Sequence, residues 1–173
     1  ERRAKPSRVS VVITNYNYGE YVSEAIESCR TQADEIIVVD DGSTDGSPET
    51  LRRIADDGAI RFMEQSNQGV ATARNVGIAS ATGDYTICLD ADDRLDGRYV
   101  AACRTALDAD RGLGIAYSGL GLIQSDGSVS LNAWPPDFDW DAQTKPTNPP
   151  SNCIPCAAMF RKAPNGKIPS EVM

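Results

Sequence analysis

Gly83-Asp84-Tyr85-Thr86-Ile87-Cys88-Leu89-Asp90-Ala91-Asp92-Asp93 is a short apolar run that ends in three carboxylates within four residues. Ile87, Cys88 and Leu89 suit a buried strand, whereas Asp90, Asp92 and Asp93 are costly to bury without partners. Such a strand delivers its charge to the carboxyl edge of a sheet, where open α/β sheets bind ligands. On an extended backbone Asp90 and Asp92 leave on the same side. Two hard oxygen ligands on one side suit magnesium or manganese, which completes its shell with water and substrate phosphates. An acidic turn or helix N-terminus without metal accounts for the same residues, and the stretch alone leaves both readings open.

The chain upstream repeats strand and helix with short loops. Residues 8–14, with Val9, Val11, Val12 and Ile13, read as a β-branched buried strand, and Asn15-Tyr16-Asn17-Tyr18-Gly19 as a turn. Residues 20–30 place Tyr21, Val22, Ala25, Ile26 and Cys29 at helical spacing. A second buried strand over 35–39 also ends in acid, at Asp40-Asp41-Gly42-Ser43, and Asp45 is the expected N-cap of a helix through Leu51 and Ile54. A weaker strand over 59–64 and the turn Asn67-Gln68-Gly69 lead into an alanine-rich helix over 70–81. This alternation predicts a parallel sheet with right-handed crossovers, and the loops 14–18, 40–43 and 90–93 then converge on one edge. No G-x-G-x-x-G follows the first strand and no G-x-x-x-x-G-K-[ST] exists, which argues against a dinucleotide-binding Rossmann unit and a P-loop NTPase.

Beyond Arg94 the pattern changes. Residues 95–107 predict a helix, for which Asp93 is a cap in the alternative to a site role, 114–117 a strand, and 120–123 with 129–131 a hairpin about Asp126-Gly127. A proline-rich stretch over 134–150 is long for a loop, and 152–161 is a final apolar segment.

A chain of 173 residues with 40% hydrophobic and 24% charged content is most simply one globular domain. A net charge of −8 argues against nucleic acid or an anionic membrane as main partner, so a bound nucleotide must be held by a cation, arginines and backbone N–H groups. With no histidine, Ser–His triads, Cys–His pairs and histidine zinc sites are excluded. Five cysteines, an odd number, fit a reducing compartment better than a disulfide scaffold. Cys153 and Cys156 have redox-motif spacing but lie far from the first strand–helix junction, so ordinary thiols are expected. No membrane-spanning run or signal peptide is visible, and the expected location is the cytoplasm, with peripheral attachment to the inner membrane as a variant.

Taken in order, these motifs resemble family 2 glycosyltransferases with the GT-A fold. Val9-Ser10-Val11-Val12-Ile13-Thr14-Asn15-Tyr16-Asn17 is similar to the family's opening, and Ile36-Ile37-Val38-Val39-Asp40-Asp41-Gly42-Ser43-Thr44-Asp45 to its second signature. Asn67-Gln68-Gly69-Val70-Ala71-Thr72-Ala73-Arg74-Asn75-Val76-Gly77 is similar to the third, and Asp90-Ala91-Asp92-Asp93 stands where the family has D-x-D. The resemblance implies an α/β GT-A domain whose residues 8–93 bind a nucleotide-sugar and whose residues 94–173 begin the acceptor-binding half. It implies that Asp41 accepts a uracil N3–H, that Thr14 and Tyr16 border the base, that Asp90 meets the ribose and Arg74 the diphosphate, and that Asp92 holds a divalent Mn or Mg. The implied reaction is inverting transfer from a UDP-sugar to an acceptor hydroxyl on a saccharide or lipid-linked acceptor, as in polysaccharide biosynthesis. The Gly-Gly-Phe-Asp-like turn and the Glu-Asp pair that carries the family's general base have no match here, so the base is expected outside this chain. Asp137, Asp139, Asp141 and Glu171 are weaker substitutes. Three rival readings are a nucleotide-sugar-binding module without turnover, a sugar-phosphate nucleotidyltransferase and a haloacid-dehalogenase-type phosphatase. The nucleotidyltransferase expects a basic glycine-rich loop after the first strand, and the phosphatase expects D-x-D on the first strand.

Overall fold

The computed structural model describes residues 6–131 and 157–162. Among these residues eight strands and four helices follow one another as β1 (Val9–Asn15), α1 (Val22–Arg30), β2 (Glu35–Asp40), α2 (Ser47–Asp56), β3 (Arg61–Glu64), α3 (Val70–Ser80), β4 (Tyr85–Asp90), α4 (Tyr99–Ala109), β5 (Ile115–Ala116), β6 (Gly121–Ile123), β7 (Val129–Leu131) and β8 (Met159–Arg161). Six of the strands form one sheet in the order β3-β2-β1-β4-β8-β5. The first four in that order are parallel, and β8 runs antiparallel to both β4 and β5. The parallel part is the one the strand–helix repeat predicts, because a parallel pair needs a crossover helix.

Alternation along the strands divides the interior between two faces. Val9, Val11, Ile13, Val38, Tyr85, Ile87 and Leu89 join residues of α1, α2 and α4 in the larger core. Val12, Ile37, Val39 and Cys88 meet α3 in a smaller one through Ala73. Helix α3 lies close to the sheet because it carries Gly77 there. A Cβ at Gly77 would stand 2.2 Å from a Val12 methyl, so any side chain would push the helix off the sheet.

β8 is fastened at the amino end of β4. Its Arg161 donates to the Tyr85 hydroxyl at 3.0 Å and to the carbonyls of Leu107, Asp110 and Leu113, and its guanidinium lies 5.1 Å from the Tyr85 ring centroid. A cation at the last carbonyls of α4 also meets the negative end of that helix.

Three sequence expectations are corrected. Helix α4 begins at Tyr99 rather than near 95. Leu95 is buried, but ahead of the helix, and Asp96 turns the chain by accepting the Arg98 N–H on its side chain and the Tyr99 N–H on its carbonyl. Asp93 therefore does not cap that helix, and its N–H instead closes a turn onto the Asp90 carbonyl at 3.0 Å. The N-cap of α2 is Gly46, at φ 84°, rather than Asp45. The Asp45 carboxylate sits one residue earlier, bridging Ser47 N–H at 3.0 Å and Gly19 N–H at 2.8 Å.

The predicted hairpin is present as a separate two-stranded ribbon of β6 and β7, with Gly127 at φ 79° in its turn. Cys29, Cys88 and Cys103 are buried free thiols. The proline-rich stretch, Cys153, Cys156, Asp137, Asp139, Asp141 and Glu171 lie outside the described residues.

Candidate nucleotide-sugar cleft

The carboxyl ends of β1, β2 and β4 open onto one cleft of about 480 Å³. Thr14, Tyr16, Asp41, Arg74, Asp90 and Asp92 all line it, so every expected site residue reaches the same space. This convergence follows from topology: β1 lies between β2 and β4, and their ends are level, with Thr14 opposite both Val39 and Asp90.

At the end of β2 the two acids are buried and hydrogen-bonded. Asp40 accepts the Asn15 side-chain N–H at 2.7 Å, the Ser43 hydroxyl at 2.6 Å and the Ser43 N–H at 2.8 Å. As the last residue of β2, it closes the turn that follows through its carboxylate. Asp41, only 4% exposed, binds the loop that leads into α3. Its Oδ1 accepts from Gln65 Nε2 at 2.7 Å and Gln68 N–H at 2.9 Å, and its Oδ2 from Gly69 N–H at 2.8 Å. Gly42 lets the two loops approach, since a Cβ there would stand 2.9 Å from the Asn67 nitrogen and its φ is +78°. A carboxylate has about four acceptor positions. Among the described residues three on Asp41 are filled, which leaves one on Oδ2.

At the end of β4 the acids face the cleft. Asp90 pairs with Arg74 at 2.6 Å, each side chain being one-third exposed, and accepts the Thr14 hydroxyl at 3.3 Å. Asp92 is exposed and stands in the turn that follows the strand. Asp90 and Asp92 thus share the cleft, but through that turn rather than by strand alternation, because β4 stops at Asp90. Behind them, burial pushes the Cys88 thiol up to about 11, with the Arg74 charge opposing and the Asp90 charge adding.

Among the described residues no group of three His, Cys, Asp or Glu side chains gathers to hold a metal ion. The donor set on offer is two carboxylates, Asp90 and Asp92. That set fits magnesium or manganese only when phosphate oxygens and water complete the shell. The residues therefore suit a cation that arrives with a diphosphate, not one held by the protein alone.

Several lining residues carried no assigned role in the sequence. Asn15 is 1% exposed and gathers Asp40, Ser43 and Ser47 through its side-chain nitrogen. Its partners lie 25 to 32 residues away, so only the polar end of a β-branched run marked it. Tyr18 and Val70 also line the cleft and are exposed.

Residues 10–168 match the family described as Glycosyl transferase family 2. The chain belongs to that family. An uncharacterized glycosyltransferase of Nostoc sp. is 45% identical over 91 residues, which is 50% of this chain and 28% of that protein. The chondroitin synthase of Pasteurella multocida is 31% identical over 133 residues, 73% of this chain and 14% of that protein. Among solved structures, a mannosyltransferase of Pyrobaculum calidifontis in complex with GDP-Man and Mn²⁺ superposes with a TM-score of 0.56. It is 28% identical, over 65% of this chain and 35% of that one. The chain thus spans well under half the length of each. The family match and this superposition make the fold GT-A, with the mostly parallel six-stranded sheet described above, and make the protein a glycosyltransferase by family. Among the described residues no helix is long and apolar enough to cross a membrane.

Proposed function

We propose that this chain binds a UDP-sugar with a divalent cation and serves inverting transfer of the sugar to an acceptor hydroxyl. The observation that carries the reading is the single open acceptor position on Asp41, in the same cleft as Tyr16, Arg74, Asp90 and Asp92. Uracil offers one ring N–H, at N3, whereas guanine offers its N1–H and the neighbouring amino group. One free lone pair matches the first and leaves a guanine donor unsatisfied. A desolvated donor without a partner costs about 1–3 kcal/mol, enough to separate the two bases. Tyr16, 46% exposed and lining the cleft, is available to stack on the base.

The remaining roles follow from charge. Asp90, which accepts the Thr14 hydroxyl of β1 and lines the cleft, suits ribose hydroxyls. Arg74 reaches Asp90 in the free chain and is long enough to turn to a diphosphate, which it would bind as a fork. Asp92, with Asp90 beside it, would hold magnesium or manganese, which when bound supplies positive charge to the departing diphosphate. In the reaction a base takes the proton of the acceptor hydroxyl, that oxygen attacks the anomeric carbon, and the bond from that carbon to the diphosphate oxygen breaks. Residues 8–93 are the donor-binding half in this reading, and residues 94–173 belong to the acceptor side. The manganese and nucleotide-sugar in the Pyrobaculum structure support use of both, and its GDP-Man makes the base the point to test.

The experiment is a calorimetric titration of the chain with UDP and GDP, in manganese and in chelator. UDP is expected to bind more tightly than GDP, and only with the metal. Equal or tighter binding of GDP would overturn the base assignment, and chelator-insensitive binding would overturn the metal.

A further inference from the structure

We propose that Tyr18 forms a second aromatic wall of the nucleotide cleft, opposite in sequence to Tyr16 across Asn17, and that Asn17 is the residue that positions it. The inference rests on the nucleotide-binding reading above. Asn17 is the one non-glycine residue among the described residues with a positive φ, at 58°. Asparagine tolerates this conformation better than most residues, but it still needs surrounding contacts to hold it. Those contacts are present. The Asn17 N–H donates to the Ser43 hydroxyl at 2.9 Å, and the Asn17 side-chain oxygen accepts the Thr44 N–H at 2.7 Å. Two residues on, the Gly19 N–H donates to Asp45 at 2.8 Å. The loop after β1 is thus fastened to the loop after β2 on both sides of Tyr18.

Ser43 is itself anchored, donating to the buried Asp40, so the fastening reaches the sheet. Between these points Tyr18 lines the cleft while remaining 42% exposed. Its ring has Tyr21 on one flank, at 6.2 Å between centroids, and its carbonyl accepts the N–H groups of Tyr21 and Val22 at the start of α1. A tyrosine whose carbonyl is hydrogen-bonded and whose two neighbours are both fastened has little backbone freedom to lose when a planar ligand meets it, which is what a preorganised contact requires. The ring packs in neither core.

The test is a double-mutant cycle read by UDP titration in manganese, with Asn17→Gly, Tyr18→Ala and the double variant. Glycine keeps the backbone angle and removes only the carboxamide. Each single change is expected to raise the UDP Kd about tenfold, the scale of one stacked base contact. The double variant is expected to bind no more weakly than Tyr18→Ala alone, because Asn17 acts through that ring. Asn17→Asp, which keeps the acceptor oxygen and the backbone preference, is expected to restore the parent affinity. Additive losses, or an unchanged Kd in Tyr18→Ala, would overturn the inference, and the second result decides it even if Asn17→Gly does not fold. If the parent chain binds no UDP, the functional reading fails and this inference fails with it. That outcome shows in the parent, before any variant is compared.

Discussion

The cleft is bordered by two acidic strand ends that look alike in sequence and differ in use. Asp40 and Asp41 end β2, and Asp90 with Asp92 ends β4. The first pair is buried at 1% and 4% exposure and accepts six hydrogen bonds from the protein. The second pair opens into the cleft, with Asp90 shared between Arg74 and Thr14 and Asp92 exposed. The difference teaches that an acidic strand end is a ligand site only to the extent that its neighbours leave lone pairs unfilled. Around β2 the neighbours are N–H and hydroxyl groups, and they fill three of about four positions on each carboxylate. Around β4 the following turn carries Asp92 away from such donors.

The largest effect expected from this contrast is on stability. Asp40→Ala leaves the half-buried Ser43 N–H and hydroxyl without this acceptor and removes one of the three acceptors around the buried Asn15 amide. Unsatisfied buried groups cost about 1–3 kcal/mol each, so a total of roughly 2–4 kcal/mol is expected once partial relaxation is allowed. The check is the urea midpoint, with Asp92→Ala as its counterpart. Exposed Asp92 should change stability by less than about 0.5 kcal/mol. Similar losses for both would break the contrast.

Next in size is the effect of the other strand end on binding. With Asp92→Asn, the part of UDP affinity that depends on manganese should disappear, leaving the affinity that the parent shows in chelator. Asp93→Asn should matter less, because Asp93 does not line the cleft. If Asp93→Asn removes the metal dependence and Asp92→Asn keeps it, the roles are reversed.

Asp41 stands between the two classes, and Asp41→Ala sharpens where the boundary falls. Loss of about 1–3 kcal/mol in UDP binding is expected for an unpaired base donor. Because the same carboxylate binds Gln65, Gln68 and Gly69, stability should fall too, unlike at Asp92. A variant with parent stability and weakened UDP binding would mean that the loop does not need the carboxylate.

Much of this was legible in the chain. The strands β1, β2 and β4 are β-branched or apolar runs whose burial no other reading satisfies, and α1 shows its buried stripe at helical spacing. The convergence of Thr14, Asp41 and Asp90 followed from parallel topology alone. The start of α4 was missed because Leu95 continues the helical spacing, while the turn at Asp96 is set by side-chain hydrogen bonds that periodicity does not register. The division of labour between Asp40 and Asp41 was only half legible. Which donors reach a carboxylate depends on loops 24 to 28 residues away meeting across Gly42. The network of Asn15 was hidden for the same reason.

The smallest effect lies at the far end of β4, where a carboxylate is again committed to the fold. Asp108 accepts from the Tyr85 and Ser7 hydroxyls, each at 2.7 Å. These hydrogen bonds, with the charges of Arg104 and Arg161 and against slight burial, hold its carboxyl below the usual aspartate range. A folded value lower than the unfolded one means that the unfolded chain binds more protons in that interval, so stability falls as pH falls. The contribution is fully present above about pH 4, the unfolded value, and is lost as pH drops through the lower folded value. Asp108→Asn should therefore be slightly less stable than the parent at pH 7, and the two should converge in acid. Urea midpoints of both proteins across that range provide the measurement. A constant gap between Asp108→Asn and the parent at every pH would show that Tyr85 and Ser7 need only an acceptor atom. Asp108 would then act by shape and hydrogen bonding rather than by charge.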